Sequence, residues 1–346
     1  METLAMEPLL PTEYGGEEPT PFVALTQPIS HAQYDGFSVS AHTEIGMIPD
    51  EISFIRRAGD RKAQEDRFIV VPNLGSNGNQ VAFFGVFDGT VGHFASDTIQ
   101  KIIVRHLVST DVWAALMRQL DAGEDDRTTI PALAVLAVSK MYSNADAELL
   151  ELCRKQDNHY SSCTSVTVLL VNDYTIVAHV GDSRVSLCYE EGGQVVARFV
   201  TTDHKPNLPA ERRRIQDSGG SVQYLSSHHN KPFLRGGDFL VRKAKGEQPM
   251  QIQYSRAFGG KDLKMFGLSC EPDIAVFRRE GQHKGLVLAS DGLWDANECQ
   301  KVFSTLFYAR RKGENPSRMI VDNTLKQLKC TSRRSDNITA VVIFFE

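Results

Sequence analysis

Phe84-Gly85-Val86-Phe87-Asp88-Gly89 ends an apolar, β-forming run in an aspartate followed by a small residue. The same arrangement returns in Ala178-His179-Val180-Gly181-Asp182-Ser183 and in Val287-Leu288-Ala289-Ser290-Asp291-Gly292. Taken singly, Asp-Gly after a strand is a turn signal. Two further acidic sites lie at the starts of strand-like runs, Glu65-Asp66 before Phe68 to Val71 and Asp336-Asn337 before Ile338 to Phe345. Carboxylates held at strand ends have little freedom and repel one another unless cations neutralise them. Oxygen donors without accompanying His or Cys suit Mg2+ or Mn2+ better than zinc.

Working outward, β-branched and aromatic runs predict strands at Phe68 to Val71, Val81 to Phe87, Thr164 to Val171, Tyr174 to Val180, Val185 to Tyr189, Asp273 to Phe277, Leu286 to Ala289 and Ile338 to Phe345. Ala95, Ile99, Ile102, Ile103 and His106 follow helical spacing, and a longer amphipathic stretch runs from Pro131 to about Lys155. Asn315-Pro316 reads as an N-cap and first helical position, with Val321, Leu325 and Leu328 on one face. Helices come in sequential pairs between runs of hairpin-linked strands, which predicts an α+β fold and not alternating βαβ units.

The chain has 346 residues, 41% of them hydrophobic and 23% charged, enough to bury a substantial core and too apolar for a mostly disordered protein. No apolar run reaches the roughly 18 residues of a membrane span. Residues 1–55 carry nine acids and no Lys or Arg, so the remainder, with 34 acids and 38 bases, is net +4. That asymmetry predicts an acidic tail over residues 1–36, disordered or loosely docked, and a folded body over 37–346. The acidic start is unlike a signal peptide. The six cysteines, Cys153, Cys163, Cys188, Cys270, Cys299 and Cys330, lack metal-finger spacing and read as reduced core thiols. Together these predict an intracellular protein, cytoplasmic or nuclear. A net charge of −5 disfavours a dedicated nucleic-acid binder, and the basic runs Arg212 to Arg214 and Arg310 to Lys312 read as solvated helix faces.

Eight motifs in order, from about Gly59 to the C-terminus, resemble the metal-dependent serine/threonine protein phosphatases of type 2C. They are RKAQED (61–66), FFGVFDG (83–89), SCTSVTVLLV (162–171), VAHVGDSR (177–184), TTDHKP (201–206) followed by ERRRIQDSGG (211–220), YSRAFGG (254–260), LVLASDGLWD (286–295) and RRSDNITAVVIFF (333–345). The resemblance implies a four-layer α-β-β-α sandwich of two antiparallel sheets flanked by helices, acting as a monomer on phosphoprotein substrates.

Carried over residue by residue, it implies that Asp88 bridges two Mg2+ or Mn2+ ions and that Asp291 and Asp336 are ligands of the first. Glu65 and the carbonyl of Gly89 resemble ligands of the second, and Asp182 a ligand of a weaker third. Asp66 resembles an acceptor behind the ligands, and Arg61 matches the position that holds the substrate phosphate. Two cations about 4 Å apart activate a water for in-line attack on phosphorus. Residues 205–260, with the adjacent His228 and His229, resemble the family's variable flap, and Gly219 to Gln253 reads as irregular.

Two departures stand out. The family usually reads Asp-Gly-His-Gly-Gly, and here the run is Asp88-Gly89-Thr90-Val91-Gly92. The histidine implied as general acid is Thr90, far too weak an acid to replace it. A metal-bound water, or after it His93, is the expected substitute. Gly260 stands where an aspartate is usual. The implied activity is hydrolysis of phosphoserine and phosphothreonine, slowed at Thr90. The alternatives are a phosphatase-like pseudoenzyme that binds partners, which the complete carboxylate set disfavours, and a two-metal nuclease, which the charge disfavours.

Overall fold

The computed structural model describes residues 39–42, 51–75, 77–123 and 127–345. The predicted acidic tail over residues 1–36, with its boundary, therefore lies outside the described residues. Two antiparallel sheets carry the body. One has five strands in the order Asp273–Arg278, Tyr174–Val180, Ser165–Val171, Val81–Phe87, Arg67–Val71. The other has six, Val39–His42, Glu51–Arg57, Ile338–Phe344, His283–Ala289, Arg184–Glu191, Gln194–Phe199.

The strand sequences read as unbroken apolar runs because both faces of each sheet are covered. Along Val81–Phe87 the side chains alternate between two cores. Ala82, Phe84 and Val86 pack between the sheets with Val166, Val168, Leu286, Leu288, Val341 and Ile343. Val81, Phe83 and Phe87 pack outward against helices Phe94–Val108 and Thr129–Lys155. On the far side Val287, Ala340, Val342 and Phe344 meet helices Cys299–Arg311 and Pro316–Cys330. Each such side chain, fully buried, contributes about 1.5–3 kcal/mol. Helix, sheet, sheet, helix is the four-layer α+β sandwich expected.

All eight expected strands are present, within a few residues at their ends. The N-cap at Asn315 is also found, its side chain accepting from the Arg318 N–H at 2.9 Å. Strands Glu51–Arg57 and Gln194–Phe199 and helices Asp111–Asp121 and Cys299–Arg311 were not anticipated. In Glu51–Arg57 the charged ends dilute an alternation in which Ile52 and Phe54 face the other sheet and Ile55 faces the helices.

The stretch after Gly219 corrects an expectation. It holds a three-stranded antiparallel sheet, Ser221–Leu225, Lys231–Arg235 and Gln251–Ile252, with helix Phe239–Ala244 between the last two. Its own small core joins Ile215, Leu234, Ile252, Tyr254, Leu263 and Leu268. His229 is exposed in the hairpin turn with φ 52°. Arg214 is likewise no solvated charge, since it bonds Glu211 Oε2 at 2.6 Å and the carbonyls of Ser255 and Gly267 at 2.8 and 3.0 Å. Cys330 is exposed and free, outside any core. No helix among the described residues is long and apolar enough to cross a membrane.

Candidate active site

Antiparallel register brings the acidic sites to one edge. Arg67 pairs with Phe87, Val86 with Val166 and Ser165 with Val180, so Asp66, Asp88 and Asp182 leave the five-stranded sheet at the same end. In the other sheet Ala289 pairs with Ala340 and with Arg184, which places Asp291 beside the start of Ile338–Phe344 and hence beside Asp336. Two bonds cross between the sheets here. Ser290 Oγ donates to Asp66 Oδ2 at 2.9 Å, and the Glu65 N–H donates to Asn337 Oδ1 at 2.7 Å.

The edge opens into a cleft of about 810 Å3. Arg61, Glu65, Asp88, Gly89, Thr90, Asp182, Asp291 and Asp336 all line it, and Asp66 lies fully buried behind them. Every residue implied as metal ligand, phosphate holder or altered general acid is thus in this cavity or, for Asp66, directly behind it. His93 is elsewhere: it sits at the N-cap of helix Phe94–Val108 with Nδ1 on Asp97 Oδ2 at 2.8 Å.

The electrostatics are those of crowded carboxylates. Burial, then the charges of Asp66, Asp291, Asp182 and Asp336, push Asp88 well above the usual carboxylate range. Burial, with Asp182, Asp295 and Asp336, pushes Asp291 up to about 8. Burial raises Asp66 to about 6. Two cations partly offset the cluster. Lys205 Nζ lies 2.5 Å from Asp182 Oδ2, and Arg61 Nη2 lies 2.5 Å from Asp336 Oδ2 at the mouth.

These residues fit divalent metal. The donors are all oxygen, and Asp66 Oδ1 is buried with no hydrogen-bond partner among the described residues. At Gly89 an added Cβ would lie 2.5 Å from the Glu65 carbonyl oxygen and 3.0 Å from Ser96 Oγ, so only glycine lets that backbone approach Glu65. Gly92 N–H donates to Glu65 Oε2 at 3.1 Å and holds the carboxylate toward the cleft. Gly260 has φ +61° and a Cβ there would meet Leu268 Cδ2 at 2.6 Å, which is why this packing takes no aspartate.

A model of the family described as "Protein phosphatase 2C" matches residues 50–338. The chain belongs to the protein phosphatase 2C family. It is 30% identical to "Probable protein phosphatase 2C 59" of Arabidopsis thaliana over 83% of this chain and 77% of that one. It is 27% identical to "Probable protein phosphatase 2C 41" of the same plant, over 85% and 81%. The crystal structure of a serine-threonine phosphatase 2C from Toxoplasma gondii superimposes with a TM-score of 0.84 at 42% identity, covering 89% of this chain and 99% of that one.

Three cleft residues of this protein phosphatase 2C chain escaped sequence reasoning. Asn337 Nδ2 donates to the carbonyls of Ala58 and Ala63, both at 3.0 Å, and with its bond to Glu65 it shapes the loop carrying Arg61. Asp295 lies one helical turn after Asp291, a spacing visible in the sequence. Tyr254, the first residue of the motif YSRAFGG, lines the same cleft as Thr90, a role the motif alone did not assign. Away from the cleft, His179, His204 and Asp273 cluster closely enough to ligate an ion. Two of the ring nitrogens bond protein: His179 Nε2 lies 2.8 Å from the Thr202 carbonyl and His204 Nδ1 accepts from the Gly181 N–H at 3.1 Å, while His204 Nε2 lies 3.1 Å from Asp273 Oδ2. The group pins the segment that carries Lys205.

Proposed function

We propose that the chain hydrolyses phosphoserine and phosphothreonine in proteins. Glu65, Asp88, Asp291, Asp336 and the Gly89 carbonyl would hold two Mg2+ or Mn2+ ions, and Asp182 a weaker third. When bound, the ions neutralise the carboxylates and supply an activated water for attack on phosphorus. Asp66, behind the ligands, accepts a proton or a hydrogen bond and is itself held by Ser290. Arg61 presents its planar fork to the phosphoryl oxygens from the mouth of the cleft. Lys205 balances Asp182 at the inner wall.

The observation that carries this reading is the convergence of Glu65, Asp88, Asp182, Asp291 and Asp336 from two sheets on one cleft, with mutual repulsion that bound cations would relieve. The test is release of phosphate from a phosphothreonine peptide with Mn2+, with Mg2+ and in EDTA. Turnover with either ion and none in EDTA supports it; equal turnover in EDTA contradicts it. The pseudoenzyme reading has Thr90 in its favour. It takes over where purified protein binds Mn2+ and phosphopeptide yet releases no phosphate.

A further inference from the structure

The side of the cleft next to Asp336 carries cations for which the metal centre has no use. Lys62, Arg333 and Arg334 line the cleft and are exposed. Among the described residues none of the three has a carboxylate within ion-pairing distance. Asp60, which feels the charge of Arg334, gives its carboxylate to Ser335: Oδ2 accepts the Ser335 N–H at 2.8 Å and the Ser335 hydroxyl at 2.9 Å. Lys231, also in the cleft wall, differs in lying 3.9 Å from Asp295 Oδ2.

The two segments that carry these cations are fixed side by side. Helix Pro316–Cys330 ends in a Schellman turn, in which Ser332 takes φ 53°, its N–H bonds the Lys329 carbonyl at 3.2 Å, and the Arg333 N–H bonds the Leu328 carbonyl at 3.0 Å. The turn therefore sets the backbone at Arg333 as the chain leaves the helix. The Asp60 N–H bonds the Ser335 carbonyl at 3.3 Å, and a Cβ at Gly59 would lie 2.3 Å from the Asp336 carbonyl oxygen, so the two backbones touch. Arg61, with Nη2 2.5 Å from Asp336 Oδ2, directly precedes Lys62. The three cations thus flank the place from which Arg61 meets phosphate.

We propose that Lys62, Arg333 and Arg334 form a second anion-recognition site, so that the preferred substrate carries another anionic side chain, a carboxylate or a second phosphate monoester, within a few residues of the one hydrolysed. The inference rests on the phosphatase reading above and names its substrate class. Guanidinium forks match carboxylate and phosphate oxygens in pairs, and a lysine ammonium adds a point charge. An extended peptide advances about 3.3 Å per residue, which sets the short spacing between the two anions. Exposed ion pairs are weak singly, so the preference is shared among the three side chains.

The test compares kcat/KM, at saturating Mn2+ and low salt, for phosphothreonine peptides identical except for flanking residues that are Ala, Asp, Lys or a non-hydrolysable phosphonate analogue of phosphoserine. Wild-type protein should favour the Asp peptide over the Ala peptide about fivefold and the phosphonate peptide over Ala about tenfold. A gain with either anion supports the site, and the larger gain identifies the source. Lys62→Ala should lower the Asp-to-Ala ratio about twofold, and Arg333→Lys, which keeps the charge, should hold most of it. Arg333→Glu with Arg334→Glu should reverse the order, so that the Lys peptide exceeds the Asp peptide, a result that loss of structure does not produce. An Asp preference retained by the double reversal overturns the site, as does an equal loss on all four peptides. Wild-type release of phosphate at equal kcat/KM from all four sinks the anion site alone; no release from any of them with Mn2+ overturns the phosphatase reading and the site together.

Discussion

Val91 is a β-branched residue with φ 59°, in the left-handed region, and it is 56% exposed, so nothing packs around the side chain to compensate. Such a backbone costs on the order of 1–3 kcal/mol. Val91→Gly should therefore raise the denaturant midpoint by the equivalent of about 1 kcal/mol; an unchanged or lower midpoint would show the strain to be absent. Thr90→His with Val91→Gly should raise turnover of a phosphothreonine peptide relative to p-nitrophenyl phosphate, whose leaving group needs little protonation, both measured with Mn2+; an unchanged ratio would show that another group already supplies the proton. Arg61→Ala should raise KM for a phosphopeptide several-fold without weakening Mn2+ activation, since the guanidinium meets Asp336 from outside and would meet phosphate oxygens. At this scale the metal-type acids and Thr90 were legible because each sits beside a strand end marked by Asp-Gly, Asp-Ser, Asp-Asn or Glu-Asp. Asn337 and Tyr254 were not, because what they do depends on partners far away in sequence: Asn337 on Ala58, Ala63 and Glu65, Tyr254 on Ser162.

Among elements, those buried on both faces announced themselves. Val81–Phe87, Ser165–Val171 and Ile338–Phe344 are apolar at every or nearly every position because helices cover one face and the other sheet covers the second. Helix Pro316–Cys330 was legible through its start. Asn315 Oδ1 accepts from the Arg318 N–H at 2.9 Å and from Ser53 Oγ at 3.2 Å, which ties the helix to strand Glu51–Arg57. Asn315→Ala should cost about 1 kcal/mol in urea unfolding; a change near zero would assign the capping elsewhere. The elements that escaped notice have mixed sequences. Helix Asp111–Asp121 depends on Thr110, whose hydroxyl accepts from the Trp113 N–H at 3.0 Å, and the sheet after Gly219 packs on a small core of its own. That sheet presents no long apolar period, whereas Val112, Trp113, Leu116 and Leu120 give the helix a helical spacing that its sequence already carried.

For the molecule as a whole, the sandwich concentrates negative charge where its two sheets meet, and its stability carries that mark. Burial lifts Asp66 from 3.8 to about 6 and Asp291 from 3.8 to about 8. A carboxyl whose folded pKa is raised holds a proton that the unfolded chain releases, so stability falls as pH rises between about 4 and 8. In EDTA the melting temperature should be lower at pH 8 than at pH 5.5, and Mn2+ should raise it more at pH 8. A metal-induced shift that is larger at pH 5.5 would contradict this. The cations around the mouth, Lys62, Lys231, Arg333 and Arg334, give the cleft a basic rim over an acidic floor. Turnover of a phosphopeptide with acidic flanks should therefore lose affinity with added salt faster than turnover of one with neutral flanks. The central claim is that Asp88 and its neighbours form a metal centre that performs the hydrolysis. It is tested most directly by titrating Mn2+ into wild-type protein and Asp88→Asn while phosphate release from a phosphothreonine peptide is recorded. The account predicts a saturable rise in turnover for wild type and a flat line for Asp88→Asn with its melting temperature retained in EDTA; matching activation curves for the two proteins would contradict it.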